Sequence, residues 1–156
     1  MVAIVVQPPS QTMTNTPFYP PVVARTRVEG LVGAEQTDYS YVFAMAVLLD
    51  SNGNVLEGQL GGTVMATGTS VVENWGSGGG GSSRPRSALY FVFPDLFVSF
   101  AGTYTIRIDV YLVDYVDPEG ARLMDQAETR VVSVFGEQVA VERPSKSAYP
   151  LNSPLY

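Results

Sequence analysis

Thr103-Tyr104-Thr105-Ile106-Arg107-Ile108-Asp109-Val110-Tyr111-Leu112-Val113 alternates from end to end. Tyr104, Ile106, Ile108, Val110 and Leu112 fall on one side, and Thr103, Thr105, Arg107, Asp109 and Tyr111 on the other. That period of two is the signature of a half-buried β-strand. Tyr41 to Leu49 is apolar on both faces, which suits either a buried helix or a central strand. The strand is favoured because Asp50-Ser51-Asn52-Gly53-Asn54 follows at once, and Asn-Gly is the strongest short hairpin signal. Ala88 to Phe93 reads as an apolar, aromatic strand closed by Pro94-Asp95. Val22 to Glu29 reads as a strand with Val22, Ala24 and Val28 on one side and Arg25, Arg27 and Glu29 on the other. Weaker strands are expected over Val2–Val6, Thr63–Val72 and Glu128–Phe135, the last extended by Gln138–Val141. The proline-rich stretch Pro8 to Pro21 cannot be helix and reads as an extended arm. About seven or eight short strands with regular turns predict an all-β, immunoglobulin-like antiparallel β-sandwich.

Composition agrees. At 156 residues one domain is the default, here residues 1–143, with 144–156 as a polar, proline-bearing C-terminal tail. Such a chain buries roughly 70% of its unfolded surface. Gly and Pro supply 15 and 11 residues, a density of breakers that opposes long helices. Residues 76–83, Gly-Ser-Gly-Gly-Gly-Gly-Ser-Ser, have the composition of a flexible linker, of the sort engineered to replace a longer loop. A native glycine-rich loop is the alternative. No transmembrane stretch is present, and the apolar start is too short for a signal peptide, so an intracellular protein is the simplest expectation.

The absences restrict the chemistry. With no Cys and no His, there is no disulfide, thiolate nucleophile, Cys/His zinc site or histidine base. Asp109, Asp114, Asp117, Glu119 and Asp125 gather around one loop, but lack the ligand spacing of a calcium loop, and a solvated hairpin tip is the better reading. No metal, cofactor or enzymatic activity is expected. The net charge of −6, from nine Lys and Arg against fifteen Asp and Glu, opposes a global attraction to nucleic acid. Arg25 and Arg27 on one strand face, with Arg84 and Arg86 beside the glycine-rich loop, are the candidate contacts for an anion or DNA; the plainer reading is a solubilising outer face. Tyr104, just after Gly102, is either a core aromatic or a tyrosine corner returning its hydroxyl to upstream backbone.

Tyr90-Phe91-Val92-Phe93-Pro94-Asp95-Leu96, followed by Gly102-Thr103-Tyr104, resembles the fungal velvet domain, which carries an "FVFPDL" run and then a "G-x-Y". Gln7-Pro8, the strand Pro20 to Val28, and Val134-Phe135 with Lys146 to Leu155 match the family more loosely. The resemblance implies a Rel-homology-like sandwich and a regulator of fungal development, sporulation and secondary metabolism. It further implies homo- or heterodimers with velvet-family proteins, in nucleus and cytoplasm. Phe91, Phe93, Pro94, Asp95, Leu96, Gly102 and Tyr104 are then structural positions. The family's basic, DNA-contacting segment is replaced here by Ser10 to Phe18, without a Lys or Arg, and the C-terminal basic residues are reduced to Arg143 and Lys146. Weak DNA binding by the isolated chain, and action chiefly through protein partners, is the resulting expectation. A velvet-like, sequence-specific DNA-binding transcription factor that uses Arg25, Arg27, Arg84 and Arg86 is the second reading, and an unrelated sandwich that binds a small ligand or carbohydrate through Tyr39, Tyr41, Trp75 and Tyr90 is the third.

Overall fold

A computed structural model describes residues 1–27, 42–73, 86–113 and 120–136. Its strands, in chain order, are β1 (Ala3–Val6), β2 (Gln11–Met13), β3 (Val22–Arg27), β4 (Val42–Leu49), β5 (Leu60–Gly61) and β6 (Met65–Thr67), then β7 (Thr69–Glu73), β8 (Arg86–Phe93), β9 (Phe97–Val98), β10 (Gly102–Val113), β11 (Ala121–Glu128) and β12 (Val132–Phe135). The fold is all-β, and no helix occurs among the described residues. A four-stranded sheet runs β1-β3-β8-β7; a larger one runs β2-β12-β10-β4-β6, with β11 also paired to β10. A two-stranded sheet joins β5 to β9. All pairings are antiparallel except β12 with β2.

The alternating stretch is the centre of the large sheet. Ile106, Ile108 and Val110 are buried opposite Leu48, Ala46 and Ala44 on the inward side of β4, and Tyr104 is buried opposite Val132 of β12. From the small sheet, Val22, Ala24, Leu89, Phe91 and Phe93 join the same cluster. Ala44 and Ala46 of β4 share this core with Phe91 and Phe93 of β8.

Several elements differ from expectation. Among the described residues twelve strands stand where about seven or eight were expected, because many pairings span only two to four residues. Thr63–Val72 is not one strand: Gly68 divides β6 from β7, and the chain passes there from the large sheet to the small one. A Cβ at Gly68 would stand 3.2 Å from both Leu89 and Phe91, so the crossing is tight. The proline-rich arm is clamped rather than merely extended. It contributes β2, buries Phe18, and donates the Asn15 and Phe18 N–H groups to the carbonyls of Val98 and Leu96.

β11 was not expected at all. Its sequence, Ala-Arg-Leu-Met-Asp-Gln-Ala-Glu, has no β-branched residue, and pairing with β10 imposes the strand. The expected strand Glu128–Phe135 accordingly breaks at Thr129, where the chain jogs from β11 to β12 while staying alongside β10. Thr129 is buried there; its Oγ1 accepts the Ile106 N–H at 3.0 Å and donates to the Arg130 carbonyl at 2.8 Å. The Val22–Glu29 strand runs to Arg27; Val28 and Glu29 lie outside the described residues.

Candidate functional site

The outward face of the small sheet holds a cluster that joins charge to aromatic chemistry and ties three strands. Ala24 and Thr26 point inward and are buried, so alternation turns Arg25 and Arg27 outward. Arg25 pairs in register with Tyr90 of β8, and Arg27 with Ala88. On the other side of β8, Val71 stands opposite Ala88, and Glu73 opposite Arg86. Arg25 and Tyr90 reach past the fully buried Ala88 to converge on Glu73. Arg25 Nε donates to Glu73 Oε2 at 3.0 Å, its Nη2 donates to Oε1, and the Tyr90 hydroxyl donates to Oε2. The guanidinium carbon lies 6.0 Å from the Tyr90 ring centroid, at the outer limit of a cation–π contact.

The electrostatics follow from this geometry. The hydrogen bond to Glu73 raises the Arg25 pKa above its ordinary value, against the opposing effect of burial. Tyr90 is also raised, first by its bond to Glu73 and then by burial, so its hydroxyl stays protonated and acts as a donor. Side-chain exposures of 18% for Arg25 and 14% for Glu73 make this a largely desolvated, bidentate pair. The arrangement locks β3, β8 and β7 together. A phosphate approaching Arg25 meets a cation already balanced by a carboxylate.

Arg27 is exposed on the same face. Arg86 is placed only by its backbone, opposite Glu73. Arg84 and Lys146 lie outside the described residues, as do the 76–83 segment, Tyr39, Tyr41 and Trp75. Of the acidic loop cluster, Asp114, Asp117 and Glu119 also lie outside. Asp109, expected to face solvent, is 3% exposed and holds Arg107 through bonds of 2.8 and 3.0 Å. That pairing raises the Arg107 pKa, chiefly through the hydrogen bond. Asp125 accepts the Val2 N–H at 2.6 Å.

The residues carrying the family resemblance have structural partners. Phe91, Phe93 and Leu96 are fully buried, and Pro94 occupies the exposed turn between them. Asp95 Oδ1 accepts the Thr63 N–H at 2.8 Å, fastening the loop before β6. Gly62, with φ of +94°, lies so close that a Cβ there would stand 2.2 Å from the Asp95 carbonyl oxygen. Tyr104 is both a core aromatic and a corner: its hydroxyl donates to the Phe100 carbonyl at 2.8 Å and approaches that of Ala101 at 3.2 Å. Gly102 leaves the space, since a Cβ there would stand 2.8 Å from that hydroxyl.

Sequence reasoning did not single out Glu73. Strand parity was the signal available, because it puts Glu73 on the same face as Thr69 and Val71. Which sheet that face belonged to depended on the crossing at Gly68.

No family model matches this chain, and no curated protein matches it. Among solved structures it is similar to a chain titled "Ceramidase complexed with C2", with 12% identity and a TM-score of 0.32. The match covers 86% of this chain but only 18% of that one.

Proposed function

We propose that the chain is a velvet-like regulatory domain of immunoglobulin-like type, acting through protein partners in the transcriptional control of fungal development and secondary metabolism. The reading rests first on the sequence resemblance around Phe91–Leu96 and Gly102–Tyr104. The observation that carries its protein-partner side is the Arg25–Glu73 pair, which occupies a cation that DNA binding would have to recruit. A net charge of −6 weighs the same way. The module works by binding and has no catalytic role.

The test is light scattering after size exclusion, on the chain alone and mixed with velvet-domain proteins, beside fluorescence anisotropy with labelled duplex DNA. A defined homo- or heterodimer with weak DNA affinity is expected. Two phosphate contacts give a log–log salt slope of only about −2. Sub-micromolar DNA binding at physiological salt by the isolated chain, abolished by Arg25→Ala with Arg27→Ala, overturns the protein-partner reading. A chain that pairs with no velvet-domain protein overturns it as well.

A further inference from the structure

The sequence holds a single Asn-Gly pair, Asn52-Gly53, and the fold places it at the tip of the hairpin that leaves β4. The other asparagines precede Thr16, Val55, Trp75 and Ser153. Asparagine is a chemically labile residue, and the residue after it decides how readily a main-chain nitrogen reaches the side-chain carbonyl. Glycine has no Cβ to obstruct that approach, whereas the β-branched Thr16 and Val55 crowd it.

Asn52 and Gly53 are both exposed, and a Cβ built on Gly53 meets no heavy atom within 4 Å. Among the described residues only the main-chain N–H of Asn52 is bonded, to Asp50 Oδ1 at 2.8 Å, which leaves its carboxamide to solvent. The Gly53 nitrogen is restrained by the turn itself: its N–H donates to the Asp50 carbonyl at 3.0 Å. Asp50 holds that turn from both ends. Its Oδ1 also accepts the Asn54 N–H at 2.9 Å, and its own N–H donates to the Asn54 carbonyl at 2.9 Å.

We propose that Asn52 is a site of spontaneous deamidation whose rate is set by opening of the turn that Asp50 holds. When the Gly53 N–H leaves the Asp50 carbonyl and gives its proton to solvent, the nitrogen bonds to Asn52 Cγ. The Cγ–Nδ2 bond breaks, and the side-chain nitrogen departs as ammonia, taking a proton back from solvent. Water then adds to either carbonyl of the cyclic imide. Opening at Cγ gives aspartate; opening at the main-chain carbonyl gives isoaspartate, in which the main chain runs through the side-chain carbons of residue 52. Both products place a new carboxylate beside Asp50. Isoaspartate also adds a methylene to the main chain between Asp50 and Asn54, which disturbs the spacing of their paired bonds.

The full chain is incubated in mildly alkaline buffer beside a peptide spanning residues 46–58. Conversion at residue 52 is followed by peptide mass spectrometry, with isoaspartate counted by enzymatic methylation of its carboxylate. The folded chain is expected to convert at Asn52, more slowly than the peptide by at least about fivefold, the factor equivalent to one net hydrogen bond. Asp50→Ala should recover most of that factor, and Asn52→Gln should abolish the product. Hydrogen exchange at the Gly53 amide reads the same opening in the parent chain, whether or not the Asp50 variant folds, and its protection should match the slowing within a factor of about ten. No conversion at Asn52 of the folded chain while the peptide converts overturns the proposal, as does faster conversion at Asn15 or Asn54. A folded-chain rate equal to that of the peptide, or a slowing that neither Asp50→Ala nor Gly53 protection follows, overturns control by the turn.

Discussion

Thr129 offers the sharpest test of how the large sheet is held. Where β11 gives way to β12, β10 would lose a ladder partner at Ile106, and the Thr129 side chain replaces it. The Thr129 N–H donates to the Ile106 carbonyl at 2.9 Å, and its Oγ1 accepts the Ile106 N–H at 3.0 Å. Ile106 is fully buried and Thr129 is 6% exposed, so water cannot readily take over as acceptor. Thr129→Val keeps the shape and removes the acceptor, leaving a buried amide unsatisfied at a cost of about 1–3 kcal/mol. At this chain length each kcal/mol corresponds to roughly 2–4 °C in Tm, so a 2 kcal/mol loss lowers Tm by about 4–8 °C. Thr129→Ser retains the hydroxyl and deletes one methyl, a loss of about 0.5–1.5 kcal/mol by analogy with Ile→Val. Urea unfolding followed by far-UV circular dichroism measures both, with an unchanged m-value certifying that the comparison is one of stability. A Val variant as stable as the parent, or no more destabilised than the Ser variant, refutes the side chain's place in the ladder.

Phe93→Ala should cost about 3–5 kcal/mol as a large deletion at a fully buried position, read in the same unfolding assay; unchanged thermal stability would remove Phe93 from the core. Tyr104→Phe should cost about 1–2 kcal/mol, because the ring stays packed while the bonds to the Phe100 and Ala101 carbonyls are lost. Asp50 is held below its ordinary carboxylate pKa chiefly by the Asn54 N–H. The stability it adds is therefore fully present above the unfolded value of about 4 and is lost as the pH falls through the depressed folded value. Melts of parent and Asp50→Ala should converge as the pH drops below that range, and a gap that widens there contradicts the assignment.

The legible part of the fold was its amphipathic centre. Alternation located β10, the Asn-Gly turn ended β4, and Pro94-Asp95 ended β8, because in each case the signal was local. The illegible part was set by pairing. β11 is a strand because β10 presents a free side along Arg107–Val113, and its own residues have no intrinsic strand preference. Thr129 reads as an unremarkable residue in an alternating run, yet it interrupts that run by substituting its side chain for backbone. The division at Gly68 is similar: one glycine is a weak breaker in a sequence, and only Leu89 and Phe91 beneath it turn the break into a change of sheet.

The same physics limits what a sequence says about the candidate site. Parity correctly put Arg25 and Arg27 on an outward face, but outward does not mean available. The carboxylate that holds Arg25 is 48 residues away and arrives on the far side of β8, so no spacing rule connects the two. An anion approaching Arg25 finds Nε and Nη2 already bonded to Glu73, a carboxylate of 14% exposure that balances the cation, and competing for those donors strips that carboxylate of its partner. Breaking such a pair is costly because the remaining charge stays desolvated, whereas a single surface phosphate contact gains little at physiological salt. The balance favours keeping the pair, so this face serves to fasten three strands.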